Sequence, residues 1–254
     1  MSIPVRAAVI ERTGVPTVIE TLALDPPRAG EVLVRMTASG VCHSDLHVRA
    51  GDWVRPGPIV LGHEGAGVVE AVGPGGDAAL VGRAVALSWY APCRTCRECV
   101  RGREWLCSGS SSVRHRMPDG TTRLTRPGGS PVLAYLAIGT FATHQVVPAT
   151  AVVPMPAGVP AEGAPLIGWG VGPGGGGVVK TAEVAAGQSV AVLGLGGVGL
   201  SCVMGAVLAG ADPIVAVDVN PAKRELATSP GATGTVPADP ATPDATNAAI
   251  RAAA

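Results

Sequence analysis

Three residues whose types can hold a metal stand close together in the first quarter of the chain. Cys42 lies in Gly40-Val41-Cys42-His43-Ser44-Asp45-Leu46-His47, and His63 and Glu64 follow in Gly62-His63-Glu64. A thiolate, an imidazole and a carboxylate are the donor types that a catalytic zinc takes. Ser44 and His47 are types that can pass a proton, so the stretch holds the inventory for a metal-polarised alcohol oxygen and a relay. A second set is more specific: Cys93-x-x-Cys96-x-x-Cys99, then Cys107 after seven residues. Four thiolates complete a tetrahedral zinc and leave no open position, which makes such a site structural. Arg94, Arg97, Arg101 and Arg103 are expected to offset the thiolate charge. Unrelated buried cysteines or two disulfides are the alternative. Cys202 sits in an apolar helical pattern and reads as packing.

The third chemical signal is Gly194-Leu195-Gly196-Gly197-Val198-Gly199, a G-x-G-x-x-G turn. Val190-Ala191-Val192-Leu193 before it reads as a buried strand, and the apolar run at residues 200–209 as a helix. Glycines there permit a tight turn and let backbone N–H groups reach a pyrophosphate at the helix N-terminus. Asp218 ends the next strand, about 20 residues after the motif, where a carboxylate meets ribose hydroxyls. The bland alternative is a glycine-rich buried turn with Asp218 capping the following helix.

Elements must position these groups. Residues 4–11, 17–24 and 31–38 read as short strands, with Val32, Val34 and Met36 alternating against Glu31, Leu33 and Arg35. Residues 42–49 can form a short helix. Further strands are expected at 65–72, 83–90, 132–138, 141–147 and 151–154, which predicts a barrel-like β-domain. Residues 155–168 can carry a short helix. The run 170–177 is nearly all glycine and is expected to be a poor helix, since each Gly costs about 1 kcal/mol against Ala. After residue 189 the pattern is α/β: a helix at 222–227, a strand at Thr235-Val236, a polar loop over 237–247 and a helix-like 248–254. The fold class is mixed α/β, divided as residues 1–160, with the cysteine lobe at about 91–110, and residues 161–254.

Composition removes several function classes. Formal net charge is +0 and 15% of residues are charged, so no polybasic surface exists to grip nucleic acid. A hydrophobic fraction of 47% excludes a disordered low-complexity chain despite the many glycines and prolines. Of 19 basic residues only Lys180 and Lys223 are lysine, which with the abundant Ala, Gly and Pro points to a GC-rich bacterial origin. Residues 184–211 carry no charge and are long enough to span a bilayer. Seven glycines between 187 and 210 break them into strand, turn and helix, so no membrane span is expected. The N-terminus lacks the plan of a signal peptide, and a cytoplasmic location is the expectation.

Together these motifs resemble the zinc-dependent medium-chain alcohol dehydrogenase family, from Val5 to about Ala232. The resemblance implies a GroES-like β-barrel catalytic domain and a Rossmann coenzyme domain, the latter partial here. It implies that Cys42 and His63 are catalytic zinc ligands, with Glu64 a nearby carboxylate able to approach the metal and Asp45 orienting the histidine. Ser44 then takes the proton of the alcohol and His47 continues the relay. His43 contacts coenzyme phosphate, Gly194, Gly196, Gly197, Val198 and Gly199 form the NAD turn, and Asp218 selects NAD. A small alcohol or aldehyde is the implied substrate, and a homo-oligomer is compatible with the family.

Two departures from the family pattern stand out. Its third zinc ligand is a cysteine in a stretch like Leu-Ile-Gly-Cys-Gly, and here the stretch is Leu166-Ile167-Gly168-Trp169-Gly170. An indole N–H only donates hydrogen bonds. The family's coenzyme domain also has six strands, whereas this chain is expected to hold about three, as if shortened at its C-terminus. The expected function is therefore NAD-linked alcohol oxidation, impaired at the catalytic metal. A non-catalytic, zinc-stabilised remnant and a zinc-independent reductase on the same scaffold are the alternatives.

Overall fold

The computed structural model describes residues 1–254. The chain divides into two units, Met1–Gly168 and Trp169–Ala254. Strands of the first unit are, in chain order, β1 (Ile3–Ile10), β2 (Val18–Leu24), β3 (Glu31–Gly40), β4 (Ile59–Val60), β5 (Glu64–Val72), β6 (Ala84–Leu87), β7 (Leu124–Thr125), β8 (Pro131–Ala134), β9 (His144–Pro148) and β10 (Val152–Pro154). They form a closed barrel in the order β1-β2-β7-β8-β4 and a five-stranded sheet in the order β10-β6-β5-β3-β9. Alternation sets the faces: Val5, Ala7 and Val9 of β1 point inward with Leu22 and Leu24 of β2, as the two-residue period of a strand requires. A second core gathers Val32, Val34, Val69, Val85 and Leu87.

One register matters most for the site. β3 and β5 pair antiparallel with Gly40 opposite Glu64, across bulges at Leu33/Val34 and Met36/Ala38. Chain leaving β3 toward Cys42 therefore runs beside chain entering β5 through His63. A Cβ on Gly40 would lie 2.2 Å from Glu64 Oε2, so only glycine admits that carboxylate. Helix α1 (His43–Ala50) starts at once after Cys42 and ends at Gly51, whose φ of 99° is left-handed, the usual glycine stop. Val48 anchors α1 against Ile10, Ile59 and Leu61. Helix α2 (Arg97–Val100) lies in the cysteine lobe, and α3 (Ala164–Leu166) closes the unit.

In the second unit the elements are α4 (Gly172–Gly176), β11 (Val190–Leu193), α5 (Gly197–Leu208), β12 (Ile214–Asp218), α6 (Pro221–Thr228), β13 (Gly234–Pro237) and α7 (Pro243–Ala253). The three strands form a parallel sheet, β11-β12-β13. Val192, Val203, Ala206, Ile214 and Ala216 form its main core.

Several elements differ from the sequence expectation. The glycine run is helical: α4 is flanked by π-type turns at Ile167–Val171 and Gly177–Thr181. Close packing overrides the poor propensity. A Cβ on Gly174 would lie 2.5 Å from Ser201 Cβ, and one on Gly205 would lie 2.9 Å from Gly175 Cα, so glycines let α4 and α5 approach closely. The final helix begins at Pro243, inside the expected loop. Pro243 and Asp244 suit a first turn, Thr242 and Thr246 bond Asp239, and Ile250 packs on the β12–β13 cluster. The expected strand 83–90 stops at Leu87. The expected strand 132–138 ends at Ala134, because Leu136 (φ 51°) and Ala137 (φ 64°) turn left-handed. No helix is long and apolar enough to cross a membrane.

Candidate functional site

Cys42, His63 and Glu64 come together as their sequence types require. One donor atom of each lies within 4.8 Å of the others. Asp45, buried in the first turn of α1, holds Cys42 and His63 in place. Its Oδ1 accepts from the Gly62 amide at 3.0 Å and faces His63 Nδ1 at 3.3 Å, while Oδ2 accepts from the Cys42 amide at 3.2 Å. Nδ1 is the nitrogen turned to Asp45, the arrangement by which a carboxylate orients a metal-binding histidine. Burial pushes the Glu64 carboxyl above its ordinary range, against the opposing pull of His63. The donor set suits zinc: soft sulfur, imidazole and carboxylate, with protein supplying three positions.

Ser44 and His47 are three residues apart on α1 and so share a face. Both are half-buried. His47 Nδ1 lies 2.8 Å from Asp52 Oδ2. Its ring stacks on Trp53 at 4.9 Å and faces His43 at 4.8 Å. Asp52 and Trp53 carry no motif and were not legible as partners of the relay.

The cysteine lobe brings Cys93, Cys96, Cys99 and Cys107 together, with all four sulfurs within 4.8 Å of one another. Cys96 and Cys107 Sγ are 3.9 Å apart; sulfurs around one tetrahedral zinc are about 3.8 Å apart, from a Zn–S length of about 2.3 Å. No disulfide forms. Gly109 is required here, since a Cβ would lie 2.7 Å from Cys93 Sγ. Hydrogen bonds from Thr95 and the Cys96 amide bring the Cys93 thiol down to about 7, and the Cys99 and Ser108 amides help bring Cys96 down to about 5. Burial pushes Cys99 up to about 12. Two of the arginines expected to offset thiolate charge are otherwise placed: Arg94 faces Glu104 at 3.7 Å and Arg101 faces Glu98 at 3.9 Å. Amides carry that part of the stabilisation.

In the second unit the glycine turn joins β11 to α5. Gly194 has a φ of +88°, and a Cβ on Gly199 would lie 1.8 Å from Gly194 O, which fixes both as glycine. Gly196, Gly197 and Val198 are exposed at the start of α5. Asp218 is buried at the end of β12 and ties the turn together. Its Oδ2 accepts from the Leu195 amide at 2.7 Å and its Oδ1 from the Asn220 amide at 2.8 Å, and these bonds lower its pKa. Each carboxylate oxygen retains a lone pair for a ribose hydroxyl, so the turn fits a dinucleotide. Cys202 is half-buried in α5 against the core of this unit, as a packing residue.

Two aromatic residues near the metal candidates escaped the sequence reading. Tyr135 meets His63 edge-on at 5.5 Å, and the His115 ring lies 5.2 Å from Tyr135 at a tilt of 31°. His115 Nδ1 accepts from the Leu136 amide at 3.1 Å. Only the left-handed turn at Leu136 could have signalled this, and it is not visible in residue types.

The profile of the alcohol dehydrogenase GroES-like domain matches residues 28–157. The NDMA-dependent alcohol dehydrogenase of Amycolatopsis methanolica is 44% identical over 229 residues, covering 90% of this chain and 62% of that protein. The crystal structure of an alcohol dehydrogenase zinc-binding domain protein from Burkholderia ambifaria superposes with a TM-score of 0.88 at 38% identity, covering 93% and 65%. Benzyl alcohol dehydrogenase from Acinetobacter calcoaceticus gives 0.84 at 32% identity, covering 96% and 68%. The chain thus spans about three fifths of the curated relative's length.

Proposed function

The chain belongs to the zinc-dependent medium-chain alcohol dehydrogenase family, and from that premise we propose that it carries the sites of an NAD-linked oxidation of a small alcohol to an aldehyde or ketone. The observation that carries this reading is the convergence of Cys42, His63 and Glu64 donors within 4.8 Å, oriented by Asp45. Cys42, His63 and Glu64 would hold the catalytic zinc, and Cys93, Cys96, Cys99 and Cys107 a structural one. Zinc supplies Lewis-acid polarisation of the alcohol oxygen and NAD supplies the hydride acceptor. Ser44 accepts the alcohol proton on its hydroxyl and donates its own toward His47, whose second nitrogen Asp52 steadies. The amides of Gly196, Gly197, Val198 and Gly199 would bind pyrophosphate, and Gly194 shapes the turn. Asp218 accepts from ribose hydroxyls and repels a 2′-phosphate, favouring NAD over NADP.

Trp169 favours a second reading. It stands at the family's third-cysteine position, so the third donor must be the Glu64 carboxylate. Losing a thiolate removes a bond and a charge, and weakens the metal. A non-catalytic, zinc-stabilised protein is the limit of that weakening. The two readings separate by following NAD reduction with a panel of primary alcohols in zinc-loaded protein. The expected outcome is slow turnover, below about 1 per second, that a chelator abolishes. Turnover that survives chelation contradicts the zinc-dependent reading, and complete absence of turnover in zinc-loaded protein favours the non-catalytic one.

A further inference from the structure

We propose that a cleft next to Tyr135 takes a carboxylate or phosphate group, so that the preferred alcohol is an anionic one held at its far end. The cleft has a volume of about 320 Å³, and its polar lining is Arg55, Arg114 and His115 between apolar Val54, Val113 and Leu136. All three polar residues are donors. Arg55 rests its guanidinium carbon 5.8 Å above the Trp53 ring and donates to the Val54 carbonyl at 2.9 Å. Neither Arg55 nor Arg114 forms an ion pair with a carboxylate, and Arg55 has a further side-chain hydrogen bond to Tyr135. His115 accepts the Leu136 amide at Nδ1, which fixes the proton on Nε2 and makes that nitrogen a further donor.

Two guanidiniums without a carboxylate partner, beside a fixed imidazole N–H, form a positive pocket whose charged side chains are all donors. An anion with several acceptor oxygens meets that requirement. Its position connects it to the reaction centre: His115 packs on Tyr135, and Tyr135 packs edge-on against the metal-donor candidate His63. The apolar walls suit the alkyl spacer between the anionic end and the reacting hydroxyl. As a statement about substrate this rests on the alcohol dehydrogenase reading above, but the anion pocket itself does not.

Isothermal titration of the full chain with hexanoate, methyl phosphate, 6-hydroxyhexanoate and 1-hexanol tests the proposal. Hexanoate and methyl phosphate lack a reacting alcohol, so their binding reports the pocket even in a protein that turns nothing over. At least one of the two anions is expected to bind about tenfold or more tightly than 1-hexanol, the tighter one naming the class. Arg55→Gln and Arg114→Gln should each weaken that anion about tenfold or more and leave 1-hexanol unchanged, and Arg114→Lys should recover part of the loss. Melting curves of the variants separate a lost charge from a lost fold. Equal binding of 1-hexanol and both anions, or anion binding unchanged in both folded glutamine variants, overturns the proposal. If the anions bind and the panel of primary alcohols is oxidised but 6-hydroxyhexanoate is not, the pocket stands and the anionic-substrate claim falls; if no alcohol is oxidised in zinc-loaded protein with NAD, the pocket stands and the dehydrogenase reading falls.

Discussion

Asp45 accepts from the Cys42 and Gly62 amides and faces His63 Nδ1, so a single buried carboxylate orients two of the three metal-donor candidates. Residue types alone made Cys42, His63 and Glu64 visible, because thiol, imidazole and carboxylate are few in a chain with 15% charged residues. Asp45 was legible only through family resemblance, since nothing in its spacing says that it reaches the loop before β5. Tyr135 and His115 were not legible at all. Their place beside His63 follows from a left-handed turn at Leu136 and Ala137, which glycine would announce and these residues do not. His115 has a measurable consequence. Burial holds its pKa down at about 4, with Arg55 adding to the effect, against an ordinary value of 6.5. The folded chain therefore binds this proton less readily than the unfolded chain. Stability from a neutral His115 is complete above about pH 6.5 and is lost as pH falls toward about 4. Thermal unfolding from pH 7 to pH 4 should show a smaller fall in Tm for His115→Gln than for the unmodified chain. Parallel curves for the two proteins contradict this account.

At the scale of elements, register and close approach do what residue types cannot announce. The strand alternation in β1 and β3 was readable, and so were the strand, glycine turn and helix around residue 194. The pairing of Gly40 with Glu64 was not, because two bulges in β3–β5 reset the register. The glycine run was misjudged for the opposite reason. Propensity describes an isolated helix, whereas here missing side chains let α4 lie against α5. A pair of substitutions separates these roles in the nucleotide turn. A Cβ on Gly199 would meet the Gly194 carbonyl oxygen at 1.8 Å, while one on Gly197 would meet nothing within 4 Å. Gly199→Ala should therefore destabilise the chain by about 1–3 kcal/mol through overpacking. Gly197→Ala should stay within about 0.5 kcal/mol of the unmodified protein. Urea unfolding of both variants measures the difference, and equal midpoints contradict the packing account.

At the scale of the molecule, two units each keep their own core, and each carries one part of the chemistry. Met1–Gly168 holds both sets of metal donors. Trp169–Ala254 holds the glycine turn and Asp218, on a sheet in which β11 pairs only with β12. Leu193 of β11 is 68% exposed. No helix is long and apolar enough to cross a membrane; the uncharged run 184–211 is divided by its glycines into strand, turn and helix. The proposed inequality of the two metal sites rests on Trp169, which stands where the family pattern has a third cysteine. On the proposed reading, four thiolates would close one zinc site, while one thiolate, one imidazole and one carboxylate would make a weaker second. Zinc stoichiometry during titration tests this directly. After exhaustive dialysis against zinc-free buffer, about one zinc per chain should remain, held by the four cysteines. A second should enter only with added zinc, and Glu64→Gln should abolish it without releasing the first. Two equally firmly retained zincs, or a second zinc indifferent to Glu64→Gln, would contradict the account.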